Sequence, residues 1–214
     1  MKDNGHKGIL TVVSGFSGSG KGTVLKSLLS RHEEYWLSVS ATTRSPRPGE
    51  QNGREYFFIL KKEFERLIRS DQLLEFAQYV DNYYGTPLPY VREKLEQGRD
   101  VILEIEMQGA RQVKKRFPEA VLVFITPPSM EELEHRLVSR GTERAEVIRD
   151  RLMQASLEAL AMKEYDYILV NESGRADDCA ERLHGIIQSE HFRTFRNYSV
   201  IRAMSNDTMK GELK

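Results

Sequence analysis

The sequence predicts an α/β fold in which a parallel sheet is flanked by helices, with a small β-rich insert. Three observations carry this. Four apolar runs of strand length, "GILTVVS" (8–14), "VILEIEM" (101–107), "AVLVFIT" (120–126) and "YDYILVN" (165–171), read as buried strands. Strands covered on both faces lose the polar alternation of a half-wet sheet. Segments of helical period separate these runs, and a glycine-rich stretch follows the first of them directly.

Taken in chain order, helices are predicted over 21–31, 108–117, 129–140, 144–164 and 175–190. Ser129 is placed to cap the third of these, with Glu132 three residues on to complete a capping box. Residues 40–98 break the rhythm. "SVSATTRSPRPGEQNGREYFFIL" is polar, holds Pro46, Pro48 and Gly49, and carries a turn signal at Asn52–Gly53. "REYFFI" and "LLEFAQYV" are short and aromatic, which predicts strands, with a helix "KKEFERLIRS" between them. The last stretch, 196–214, has weak periodicity and reads as a frayed or partly helical tail.

The 214 residues suffice for one compact domain or a core with subdomains. Thirty-two Lys and Arg balance 32 Asp and Glu, which argues against a protein that holds nucleic acid by bulk charge. One cysteine, Cys179, allows neither an internal disulfide nor a cysteine metal cluster. The histidines at 6, 32, 135, 184 and 191 show no metal-ligand spacing and read as surface or packing residues. No apolar run is long enough to span a membrane, and "MKDNGHK" lacks a signal core, so a soluble, cytoplasmic protein is expected. "NES" (Asn171) and "NYS" (Asn197) match the glycosylation tripeptide by coincidence on that reading.

"GFSGSGKGT" (15–23) supplies the first chemistry. A loop that turns its backbone N–H groups onto an anion needs conformations and a closeness of approach that Cβ obstructs. Gly15, Gly18 and Gly20 meet that need, and Ser17, Ser19, Gly22 and Thr23 complete the loop. Lys21 opens a helix whose N-terminus favours negative charge, and its ammonium can reach the outer phosphates. This predicts a P-loop NTPase core. Gly22 stands where the common pattern has Ser or Thr, and the hydroxyl arrives one residue later, at Thr23. That "GKGT" ending resembles nucleoside monophosphate kinases, in which Mg²⁺ is held mainly by phosphate oxygens and water, with Thr23 as an additional contact.

The insert looks like an acceptor site. Arg44 and Arg47 stand three apart in a chain stiffened by Pro46 and Pro48, and two guanidinium forks so placed suit a phosphate monoester. "SVSATTRSPRPGEQNGREYFF", "LLEFAQYVDNYYGTP", "VILEIEMQGARQVK" and "RLVSRGTERAEVIRDRL" resemble guanylate kinases in order and spacing, from Lys7 to about Glu190. The resemblance implies a core of 1–39, 99–135 and 160–195, a GMP-binding subdomain of 40–98 and a helical lid of 136–159. It implies that Ser40, Arg44, Arg47, Tyr56 and Tyr84 hold the GMP phosphate, and that Glu75 accepts from guanine N1–H and the exocyclic amine. Thr86 would bond the base. Glu104 would reach guanine or order the metal's water shell, and Glu106 stands where relatives commonly carry Asp.

By the same resemblance Arg140 and Arg151 of the lid contact the transferring phosphoryl group, with Arg136 a further candidate and Asn171 near the adenine. The implied reaction is ATP plus GMP (or dGMP) giving ADP plus GDP (dGDP), with Lys21, Arg44, Arg140, Arg151 and Mg²⁺ offsetting the repulsion of two polyanions. Two alternatives stay open on the residues. "GKGT" also suits kinases of AMP or UMP, against which Glu75, Arg44, Arg47 and "NYYGT" speak. A non-catalytic scaffold would bind phosphopeptides through the insert, against which the intact Lys21 and lid arginines speak.

Overall fold

In the computed structural model, which describes residues 7–139, 141 and 144–211, the chain forms two sheets. Five parallel strands make the larger: β1 (Leu10–Gly15), β2 (Tyr35–Leu37), β7 (Asp100–Glu104), β8 (Val121–Thr126) and β9 (Tyr167–Val170), in the order β2-β7-β1-β8-β9. The smaller holds β3 (Ala41–Thr42), β4 (Phe57–Phe58), β5 (Leu73–Tyr79) and β6 (Asn82–Pro87), in the order β4-β3-β6-β5. The helices are α1 (Lys21–Arg31), α2 (Lys61–Arg69), α3 (Leu88–Glu96), α4 (Met107–Arg116), α5 (Met130–Ser139), α6 (Ala145–Ala159), α7 (Ala176–Glu190) and α8 (Tyr198–Gly211).

The central strands are apolar on both sides because helices cover both sides. Val13 packs with Val24, Leu25 and Leu28 of α1 and Leu183 and Ile187 of α7. Its neighbour Val12 faces the other way, onto Leu88, Val91 and Leu95 of α3 and Ala110 and Val113 of α4. A third cluster of Phe16, Phe124, Leu133, Leu137 and Ile148 fixes α5 and α6 beyond the carboxyl ends of β1 and β8.

Three expectations are corrected. "YDYILVN" is not fully buried: β9 is the sheet's edge, so Leu169 is buried while Ile168 and Val170 are 50% and 37% exposed. "VILEIEM" is not strand throughout. The strand stops at Glu104, Glu106 adopts an extended N-cap conformation, and Met107 opens α4. The helix expected over 144–164 closes as α6 at Ala159 and continues as a 3₁₀ turn, Leu160–Glu164. Ser129 does cap α5, its Oγ accepting from Glu132 N–H at 3.2 Å. The reciprocal half of the capping box yields to other partners, because Glu132 accepts instead from Arg136 Nε at 2.8 Å and from Ser173. α3 and the three-residue β2 went unread: Pro89 masks the first turn of one, and the other is too short to show a period.

Candidate active site

The phosphate loop joins β1 to α1. Gly20, the α1 N-cap, has φ +87°, and a Cβ there would stand 2.5 Å from Asn171 Nδ2, so only glycine lets the loop close against β9's end. No side chain caps α1 and no acid stands in its first turn, which leaves the positive end of the helix facing the loop. Lys21 Nζ donates to the Gly15 and Phe16 carbonyls at 2.7 and 3.2 Å. A Cβ at Gly22 would meet nothing within 4 Å, so the protein itself sets no demand for glycine there. Thr23 and Ser17 are exposed, and Ser17 Oγ accepts from Arg151 at 3.0 Å.

Asn171 is buried and donates through Nδ2 to the Ser19 carbonyl at 2.8 Å, so its amide is engaged with the loop backbone. Arg136 braces the same place: it donates to Ser19 O at 3.1 Å, to Asn171 O at 2.8 Å and to Glu132. Arg140 lies outside the described residues. Arg151, on α6, is brought to the loop.

Across the mouth of the sheet, the insert gathers the second cluster. Arg44 lies over the rings of Tyr56 and Phe58, its guanidinium carbon 5.1 and 5.5 Å from their centroids, and Tyr84 meets Tyr56 edge to face at 6.0 Å. Glu50 had no place in the sequence reading. Its carboxylate accepts two bonds from Arg44 at 2.7 Å each and one from Arg47 N–H at 2.7 Å, which holds its pKa down to about 2. The anion expected between the two arginines is therefore supplied in part by the loop itself. Ser40 is half-buried, its carbonyl pairing with Phe57 N–H at 2.8 Å, while Arg47 is exposed. Burial raises the Tyr56 phenol's pKa; Arg44 opposes the rise, and the nearby Tyr84 and Glu104 add to it.

Glu75 is buried in β5 and 6% exposed, and Thr86 of β6 donates to its Oε1 at 2.7 Å. Burial, with Glu106 adding repulsion, lifts its pKa to about 7 against the Thr86 hydrogen bonds. Gly109, in the first turn of α4, makes the room: a Cβ there would stand 2.7 Å from Glu75 Oε2. Sequence reasoning missed Gly109, and the one signal was an isolated glycine inside a helical pattern. Since the obstructed atom is the end of a flexible chain, Gly109→Ala is expected to leave the melting temperature within a few degrees, the helix gaining up to ~1 kcal/mol of propensity. Displacing the carboxylate should raise the KM for a ligand that Glu75 binds by roughly tenfold. Steady-state kinetics beside a melting curve check both, and unchanged KM would refute the positioning.

The two clusters meet because β7 and β1 are paired in register, Val13 opposite Glu104. The exposed Glu104 and Glu106 thus stand at the carboxyl end of the sheet, beside the glycine loop and before Glu75, where open α/β sheets bind ligands.

A family model described as Guanylate kinase matches residues 7–190. A guanylate kinase of Streptococcus thermophilus (strain CNRZ 1066) is 52% identical over 203 residues, 94% of this chain and 96% of the relative. One from Streptococcus pneumoniae (strain ATCC BAA-255 / R6) is 54% identical over 187 residues, covering 87% of this chain and 89% of the relative. The crystal structure of guanylate kinase from Anaplasma phagocytophilum superposes with a TM-score of 0.70 at 32% identity, covering 89% of this chain and 90% of that one.

Proposed function

The chain belongs to the guanylate kinase family and phosphorylates GMP with ATP, and we propose that its two clusters divide that work, the glycine loop holding ATP and the insert holding GMP. The observation that carries this division is that α4, which follows β7 at the sheet end beside the glycine loop, packs its Gly109 against Glu75 of the insert. Glu75 accepts from guanine N1–H and its exocyclic amine, a donor pair that adenine lacks. Arg44, Arg47, Ser40, Tyr56 and Tyr84 bind the GMP phosphate, with Glu50 holding Arg44 in place, and Thr86 bonds the base.

The attacking group is a phosphate oxygen already anionic at neutral pH, so no base has to remove a proton. What the protein supplies is alignment and positive charge: Lys21 and the α1 N-terminus on the donor, Arg44 on the acceptor, Arg140 and Arg151 on the group in transit. Glu104, exposed at the end of β7, and Thr23, exposed in the first turn of α1, are oxygen donors of the kind that Mg²⁺, a hard cation, takes. When bound with ATP it neutralises phosphate charge, while Thr23 would contact it and Glu104 would order its water shell. Residues 136–159 act as a lid that excludes water from the transfer. No helix among the described residues is long and apolar enough to cross a membrane.

A coupled ADP-release assay with GMP, dGMP, AMP, UMP and CMP tests the base assignment. GMP is expected to exceed AMP in kcat/KM by at least ~10³-fold, since a site built to bond a donor rejects the analogue that lacks it. Comparable rates with AMP would overturn the role of Glu75.

A further inference from the structure

The α1–α7 packing brings together two histidines 152 positions apart, at the end of α1 opposite the phosphate loop. His32, the C-cap of α1, stacks on His184 of α7 with ring centroids 3.8 Å apart and planes 10° from parallel. Glu34 presents one carboxylate oxygen to both rings, 3.7 Å from His32 Nδ1 and 3.8 Å from His184 Nδ1. The three ligand atoms lie within 4.8 Å of one another.

We propose that His32, Glu34 and His184 form a binding site for a borderline divalent cation of the zinc class, separate from the ATP–GMP site. Two imidazoles and one carboxylate are a donor set that zinc takes and magnesium does not. A tetrahedral zinc ion holds its ligand atoms roughly 3.3 Å apart, so the cluster closes by about an ångström as the rings turn out of their stack. The outer contacts are those a metal-binding histidine uses. Glu181 Oε1 lies 3.4 Å from His32 Nε2, placed to accept a hydrogen bond from Nε2–H in the tautomer whose Nδ1 lone pair faces Glu34. Tyr35 Oη accepts a hydrogen bond from Gln188 Nε2 at 3.1 Å and lies 2.7 Å from His184 Nδ1, so its hydroxyl can donate to that nitrogen's lone pair until a cation displaces the bond. The negative end of the α1 dipole faces the cluster. Neither histidine has the sequence spacing of a metal motif, which is why this site is visible only in the fold.

Titration calorimetry with ZnCl₂ at pH 7.5, in millimolar Mg²⁺, is expected to show one zinc per chain with a Kd of about 1 μM or tighter. His32→Ala and His184→Ala should each weaken it at least ~10-fold. Zinc at 100 times its Kd should raise the melting temperature of the wild type by roughly 5 °C and leave the double variant unmoved. Kinase activity in Mg²⁺ alone should be unchanged in both single variants, which shows them folded. Uptake only above ~100 μM zinc, or equal uptake by the double variant, would overturn the proposal.

Discussion

Lys21→Ala is expected to lower turnover by more than ~100-fold at saturating ATP and GMP, the loss that follows from removing one positive partner of a developing charge. The fold should survive. Lys21 is half-buried at the head of α1, and its ammonium donates to the loop carbonyls of Gly15 and Phe16. Those bonds are worth ~1 kcal/mol each, and water can replace the donor at an open loop. A near-normal kcat in the coupled assay, with an unshifted melting curve, would contradict the role given to this lysine.

Glu75→Gln should separate stability from function. In the folded protein the carboxyl has a pKa of about 7 against an ordinary 4.5. The native state therefore holds the proton more tightly than the unfolded chain. The stability linked to this group is complete below pH 4.5 and is lost as pH rises to 7, about 3 kcal/mol in all. Glutamine keeps the shape and bears no charge, so the variant should be up to ~3 kcal/mol more stable than wild type at pH 8, with the advantage vanishing near pH 4. Urea unfolding of the two proteins across that range measures the difference.

The same change should cost at least ~100-fold in kcat/KM for GMP, because an amide –NH₂ faces a base edge that offers only donors. In the wild type, kcat/KM for GMP should fall as pH drops below 7 and the carboxyl takes its proton. A variant no more stable at pH 8 would sink the burial argument, and one that still handles GMP normally would remove Glu75 from the site.

How much of this was legible depends on how far apart in the chain the cooperating residues lie. The glycine loop is nine contiguous residues whose chemistry comes largely from backbone N–H groups, so its composition announces it. The strands β1, β7 and β8 announced themselves because covering both sides of a strand demands an unbroken apolar run. β9 had the same composition and a different fate, since an edge position is a property of the sheet and not of the strand. Glu50 stands six residues after Arg44, and its role is not legible locally because nothing in six residues of turn says which way a carboxylate will point. Arg136, by the resemblance only a further candidate beside Arg140 and Arg151, donates to the Ser19 and Asn171 carbonyls, a contact that no local pattern announces.

The sequence by itself therefore determined the α/β class, the phosphate loop and the aromatic, arginine-bearing insert, since each follows from local periodicity or from a short run of backbone-shaping residues. The tertiary structure decided which side chains meet: Gly109 beneath Glu75, Glu50 on Arg44, His32 against His184. Those pairings are set by helix and strand packing, a cooperative property of the whole chain that no single segment encodes.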